Sequence, residues 1–295
     1  MFTSIESLQT QLLQHHYVAG RGLSTVIFLA ARLRKPLFLE GEPGVGKTEV
    51  AKVLSSILGA RLIRLQCYEG LDVHNAVYEW AYSRQILHLR ILESSGASRQ
   101  EMERDLYSRE FLVARPLLQA IEATVAAPVL LIDEIDRADE EFESYLLEVL
   151  SDYQITIPEI GTIDATHPPL VVITSNRTRE VHDALKRRCL YHWIDYPDFD
   201  TEYQIVRLKA PGIPERLARQ VVTAVQELRR ADLYKPPGIA ETLDWAGALQ
   251  VMERDTLDEN LIGDTLGVLL KHQEDIQLTQ GKLARDLARL AHERS

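Results

Sequence analysis

The sequence predicts an α/β protein in which a parallel sheet flanked by helices is followed by an all-helical C-terminal part. Three observations predict it. Short apolar runs at 36–40, 129–133 and 170–174 alternate with segments of helical periodicity, the pattern of strands joined by helical crossovers. The stretch Gly41-Glu42-Pro43-Gly44-Val45-Gly46-Lys47-Thr48 fits G-x-x-x-x-G-K-[ST] and lies between the first run and a helix. Beyond Asp195-Tyr196-Pro197-Asp198 the strands stop, and only helical periodicity remains.

Element by element, residues 4–16 and 21–34 read as helices, and 36–40 as a buried strand. A helix follows the glycine stretch over 49–58, and 61–66 reads as the second strand. From Val77 to Leu89 apolar and polar residues alternate, which predicts short strands or a hairpin. Residues 94–109 are polar and predict a surface loop with one helix. A helix is expected over 115–126, then a buried strand over 129–133 that ends in acid. Residues 140–150 read as a helix. The segments 153–157 and 160–163, around Pro158 and Gly161, read as a β-hairpin. The strand at 170–174, a helix over 181–187 and a strand at 191–194 complete the sheet. Helices are expected over 201–210, 214–232, 238–253, 258–272 and 281–293. The domain boundary is therefore placed at 198, with an α/β core over 1–198 and a helical domain over 199–295.

The glycine stretch carries the chemistry. Glycines let the backbone turn its N–H groups toward phosphate oxygens, and the next helix adds positive partial charge. In such a loop Lys47 reaches the β- and γ-phosphates and the Thr48 hydroxyl sits on Mg²⁺. Gly41, Glu42, Pro43, Gly44, Val45, Gly46, Lys47 and Thr48 are accordingly the expected ATP-binding residues. Asp133 and Glu134 close the run Val129–Ile132. Alone they would be as well explained by a charged helix N-terminus. Beside a phosphate loop, Asp133 is the expected Mg²⁺ carboxylate and Glu134 the expected base on water. An Asn-Lys-x-Asp guanine-recognition pattern is missing, so ATP is favoured over GTP. Asn176 follows the strand at 170–174, where an asparagine either makes a turn or holds a γ-phosphate and the lytic water. Arg187 and Arg188 follow the short helix after Asn176. Either they complement the helix C-terminus, or one of them, with Arg188 ahead, reaches the nucleotide of a neighbouring subunit.

Composition narrows the class. The 295 residues carry a formal charge of −11, from 33 basic and 44 acidic side chains. That argues against bulk nucleic-acid binding, which depends on neutralising phosphates. Two cysteines, Cys67 and Cys189, form neither a disulfide framework nor a zinc spacing. No apolar run approaches ~18 residues, and the N-terminus has no signal pattern, so a cytoplasmic protein without a membrane span is expected.

Together these motifs resemble the AAA+ ATPases and, within them, the MoxR family. The resemblance rests on Gly41–Thr48, Asp133-Glu134-Ile135-Asp136-Arg137-Ala138, Ile155-Thr156-Ile157-Pro158, Thr174-Ser175-Asn176 and Asp195-Tyr196-Pro197. It implies a P-loop AAA+ sheet with a C-terminal helical lid and a homo-oligomeric ring, a hexamer in the family. It also implies an insert in the second helix at 67–92 and a hairpin at 153–163 that act on client proteins. Leu65–Asp72, Ala76–Trp80 and Arg115–Ala120 look closer still to the CoxD-type branch. That branch implies a von Willebrand A-domain partner and a client metalloenzyme, carbon monoxide dehydrogenase. Rubisco activation and methanol dehydrogenase maturation belong to sister branches. An ATP-dependent binding switch with little turnover is the alternative of another class. One departure stands out: Lys235-Pro236-Pro237-Gly238-Ile239-Ala240-Glu241-Thr242 holds no arginine where AAA+ lids carry one. Val18 and Ala19 are positioned for an adenine pocket, or equally for an apolar linker.

Overall fold

The computed structural model describes residues 2–95 and 106–293. The chain opens with α1 (Ile5–Gln14), α2 (Arg21–Leu33), β1 (Leu37–Gly41), α3 (Lys47–Leu58) and β2 (Leu62–Gln66). Then come α4 (Val73–Ala76), β3 (Tyr78–Trp80), α5 (Tyr82–Ser95), β4 (Leu112–Ala114), α6 (Pro116–Ile121) and β5 (Val129–Asp133). They are followed by α7 (Glu140–Asp152), β6 (Gln154–Ile157), β7 (Gly161–Asp164), β8 (Leu170–Ser175), α8 (Asp183–Arg188) and β9 (Leu190–Ile194). Six helices follow among the described residues: α9 (Phe199–Lys209), α10 (Glu215–Arg230), α11 (Ile239–Val251), α12 (Glu259–Leu269), α13 (Gln273–Thr279) and α14 (Lys282–Glu293).

Five strands form a parallel sheet in the order β2-β5-β8-β1-β9. The middle strands are apolar along their length because helices cover both faces of such a sheet. Register sets Ile63 beside Leu130, Leu131 beside Val172, and Phe38 beside Ile173. At the carboxyl ends it sets Gln66 beside Asp133 and Glu40 beside Ser175. Ligands of open α/β sheets bind beyond those ends.

Contacts divide the chain into two compact units. The first comprises the described residues of 1–5, 22–40 and 51–192; the second comprises those of 6–21, 41–50 and 193–295. In the first, Phe38, Leu130, Ile132 and Ile173 of the sheet pack in one core with Leu117, Leu118, Phe142 and Leu146 of the helices. The Asp139 side chain caps α7 by accepting from the Phe142 N–H at 2.9 Å. Strands β6 and β7 pair antiparallel as a hairpin, with Ile155 beside Ile163. In the second, α10 presents Leu217, Val221, Val222, Val225 and Leu228 at helical spacing to Trp245, Leu249, Leu266 and Leu287. Buried Trp245 donates its indole N–H to the Thr265 hydroxyl at 2.8 Å.

Several expectations are corrected. The alternation from Val77 to Leu89 is strand only over Tyr78–Trp80, which pairs antiparallel with Leu112–Ala114. From Tyr82 the chain is helical. The buried Gln85 side chain donates to the Leu106 carbonyl at 2.6 Å, while Ile86, Leu87 and Ile91 are exposed, so the apolar residues imitate strand period without facing a core. The helix expected over 115–126 stops at Ile121. Thr124-Val125, poor in helices, and Pro128 lie beyond it. Helix α12 ends at Leu269 rather than 272, and the short α13 was not anticipated. Buried Asp275 ties α13 to the segment before α11: it accepts from the Tyr234 and Lys235 N–H groups at 2.7 and 3.1 Å. The surface loop expected over 94–109 falls partly on 96–105, outside the described residues.

Candidate nucleotide site

The glycine loop lies in the second unit. β1 ends at Gly41 and α3 begins at Lys47, so the loop feeds a helix N-terminus. Gly44 and Gly46 have φ of 78° and 94°, conformations that a Cβ would strain. Lys47 is buried, and its Nζ donates to the Gly41 and Glu42 carbonyls, each at 2.7 Å. Gly41, Glu42, Pro43, Gly44, Val45, Gly46, Lys47 and Thr48 thus form a curled loop at the start of a helix. That donor set fits a triphosphate, which needs convergent N–H groups and one cation. Val18 and Ala19, half-buried, belong to the same unit, and the Gln9 amide donates to the Ala19 carbonyl at 3.0 Å. Tyr17, to which the sequence assigns no role, lies beside the loop in the same unit. A Cβ on Gly46 would meet its ring at 3.8 Å. Desolvation, with the Glu49 carboxylate beside it, holds the Tyr17 hydroxyl well above the usual phenol range.

The acid pair lies in the first unit, at the end of β5. Asp133 is buried. Its Oδ1 accepts from the Thr174 hydroxyl at 2.6 Å, and its Oδ2 accepts from Arg64 Nη2 and Nε at 2.6 and 3.1 Å. Glu134 occupies the left-handed region at φ 56°, ψ 52°, uncommon for a residue with a side chain. Such strain clusters at functional sites, where neighbours hold it. Here the Glu134 N–H donates to the Thr174 hydroxyl at 2.9 Å. Its Oε2 accepts from Arg137 Nε at 2.8 Å and from the Gln66 amide at 3.2 Å. The sequence assigns no site role to Arg64, Gln66 or Thr174. The signal was available: Arg64 and Gln66 are two apart on a strand and so share a face. What the sequence hid was that β2 and β8 flank β5.

Asp136 fixes the segment after β8. It accepts from the Asn176 N–H at 3.2 Å, the Thr178 N–H at 2.9 Å and the Thr178 hydroxyl at 2.6 Å. Burial by itself would raise its pKa, but these bonds together bring it below the ordinary carboxylate value. Asn176 is therefore held next to the end of β8, in the same unit as Asp133 and Glu134. Arg187 and Arg188 end α8, and both are exposed. The Arg188 guanidinium donates to the Leu147 carbonyl and the Ser151 hydroxyl of α7. The helix is anchored by buried Glu143, which pairs with Arg179 and accepts from the His182 N–H at 2.7 Å. Lys186 donates to buried Glu40 at 3.3 Å, and the Tyr191 hydroxyl donates to the same carboxylate at 2.9 Å. Burial and Glu40 push that phenol up to about 12.

Residues 36–189, more than half of the chain, match the model of the AAA domain of the dynein-related subfamily. The chain belongs to this AAA family. An uncharacterized protein of Staphylococcus epidermidis is 25% identical over 205 residues, covering 67% of this chain and 70% of that one. An uncharacterized Staphylococcus aureus protein is 26% identical over 204 residues, covering 67% and 69%. Among solved structures, a point variant of Thermotoga maritima RuvB superposes with a TM-score of 0.50 at 18% identity, covering 90% of this chain and 70% of that one. The AAA fold accounts for the parallel sheet and for the C-terminal helices. Among the described residues, no helix is long and apolar enough to cross a membrane.

Proposed function

We propose that this AAA protein hydrolyses ATP and spends the turnover on remodelling a client protein. The observation that carries the reading is the acid end of β5, a buried aspartate followed by a glutamate held in the left-handed region. Gly41–Gly46 and Lys47 hold the phosphates. Mg²⁺, held beside Thr48 and Asp133, would supply charge neutralisation on the phosphate oxygens. Glu134 takes the proton of the attacking water as its oxygen bonds to the γ-phosphorus. The bond to the β–γ bridging oxygen breaks, and ADP and phosphate leave. Asn176 orients the water. Arg188 of a neighbouring protomer spreads its donors over the charge that develops. In this reading residues 199–295 act as the lid, and 67–92 and 153–163 meet the client.

The finer reading is of a MoxR-type ring related to the CoxD branch, working with a von Willebrand A-domain partner on a metalloenzyme such as carbon monoxide dehydrogenase. Its support is the run Asp133–Ala138 followed by the hairpin, with Leu65–Asp72 and Ala76–Trp80 for the branch. Rubisco or methanol dehydrogenase are the competing clients. Co-purification separates them: a von Willebrand A-domain protein together with carbon monoxide dehydrogenase subunits is the expected set, and Rubisco large subunit would overturn the branch.

The test of hydrolysis uses the full chain with Mg²⁺ and ATP. Arg188→Ala should bind nucleotide yet lose turnover, and mixing it with Lys47→Ala subunits should restore a fraction of the sites. An oligomer in which mixing restores nothing would count against Arg188 acting in trans. A second reading, an ATP-dependent binding switch with little turnover, is favoured by one observation. In the C-terminal helices the Arg229 side chain, nearly all buried, is taken up in a two-pronged pair with Glu202 at 2.6 and 2.7 Å. A partner that binds equally well with ATP and wild-type or Glu134→Gln protein would favour the switch.

A further inference from the structure

The start of α11 stands where a lid would sense nucleotide, and it carries no arginine. The second unit contains a different device. The first N–H groups of a helix have no partner within it. In α11 two of them are satisfied by the glycine loop: the Gly44 carbonyl accepts from the Ile239 and Ala240 N–H groups at 3.0 and 3.3 Å. A third nearby donor, the Gly238 N–H, is bound by the Glu241 carboxylate at 3.0 Å, the half of a capping box that a glycine N-cap allows. The close approach demands glycine at 238, and a φ of 78° favours it at 44. A Cβ on Gly238 would lie 2.9 Å from the Pro43 carbonyl oxygen and 3.0 Å from the Gly44 Cα. A Cβ on Gly44 would lie 3.0 Å from Glu241 Oε2.

The helix start is also clamped to the rest of its unit. Arg229 of α10 donates to the Pro237 carbonyl at 2.8 Å and pairs with Glu202 of α9. The Thr242 hydroxyl donates to the same Glu202 at 2.8 Å. The Arg229 guanidinium lies 4.6 Å from the Tyr196 ring centre. A buried, hydrogen-bonded pair thus ties the start of α11 to α9 and α10.

We propose that Gly238 and Glu241 are the residues through which α11 registers the occupancy of the glycine loop, by backbone contact and charge repulsion in place of an arginine. The proposal rests on the glycine loop being the ATP site. Glu241 sets a carboxylate against a loop whose donors suit phosphates, and like charges repel at that range. Phosphates in the loop displace Glu241, and with it the cap on Gly238. The Ile239 and Ala240 amides then separate from Gly44. An arginine at a lid does the opposite and draws the lid toward the phosphate.

Glu241→Gln separates charge from structure, because a glutamine carbonyl also accepts from the N-cap N–H. The experiment measures amide hydrogen exchange across 238–242 in the full chain, with and without Mg²⁺ and a non-hydrolysable ATP analogue, alongside analogue affinity. In wild type, the analogue should speed exchange at Ile239 and Ala240 about tenfold or more. In Glu241→Gln the speeding should shrink to about twofold, and the analogue should bind about three- to tenfold tighter, the effect of removing one repulsive charge. Gly238→Ala should exchange fast in both states. Analogue binding with unchanged wild-type exchange would overturn the coupling alone, as would a Glu241→Gln protein identical to wild type in both readouts. Failure of the analogue to bind at all would overturn the site reading beneath it.

Discussion

The acid end of β5 and the glycine loop are held by opposite means. Asp133 and Glu134 are each fixed by side chains: Arg64 and Thr174 on one carboxylate, Arg137 and Gln66 on the other. The loop is fixed through its own backbone carbonyls: the Lys47 Nζ takes up two of them, and the Gly44 carbonyl caps α11. A site held by side chains can be loosened one partner at a time. A site held by backbone fails when a Cβ is added. The difference also separates the carboxylates, whose reactivity is tuned by charge, from the loop, whose service is shape.

The largest expected break lies outside both halves. Arg188→Ala should cut turnover by about 10³-fold or more in the assembled oligomer and leave nucleotide affinity nearly unchanged. Steady-state turnover and equilibrium binding on one preparation check it. Next comes the contrast itself. Gly44→Ala should destabilise the protein by about 1–3 kcal/mol, through a left-handed φ and the close approach to Glu241. Arg64→Gln should cost less, about 0–1 kcal/mol, because the Arg64 side chain is half exposed and solvent already screens the pair. Denaturant unfolding of the two variants ranks them, and a larger loss for Arg64→Gln would reverse the comparison.

Asp136 sharpens it further. Its folded pKa lies below the unfolded value near 3.8, so its charged form is the one stabilised. That stability is present above about pH 4 and is lost as pH falls through the folded pKa. Asp136→Asn should therefore destabilise by about 1–3 kcal/mol at pH 7 and converge on wild type in strong acid. A difference that persists below the folded pKa would mean that the lost bonds were not charge-dependent. The smallest effect concerns Cys67 and Cys189. Burial pushes both thiols up to about 12, with neighbouring carboxylates adding to Cys67. Native protein at pH 8 should label with a thiol reagent far more slowly than unfolded protein.

Much of the frame was legible in the sequence. Central strands of a parallel sheet are buried on both faces, so 129–133 and 170–174 could be read as continuous apolar runs. The hairpin announced itself through Pro158 and Gly161, and the C-terminal helices through wide apolar faces such as that of α10. Two kinds of feature were not legible. One is local ambiguity, as in α5, whose exposed Ile86, Leu87 and Ile91 give a pattern that serves strand and helix alike. The other is long-range pairing. That Arg64 grips Asp133 depends on β2 lying next to β5, and that Gly44 caps α11 joins residues almost two hundred positions apart. No window of sequence contains either partner set. Glu241 was readable as a helix-start residue, whereas its approach to the glycine loop was not.

The central claim is that Glu134 is the base of an ATP hydrolase. The most direct test measures ATP affinity and Mg²⁺-dependent phosphate release in wild type and Glu134→Gln, side by side. ATP affinity should stay within about twofold and turnover should fall by about 10²–10⁴-fold, the usual contribution of a positioned base. Turnover retained by Glu134→Gln would contradict the claim.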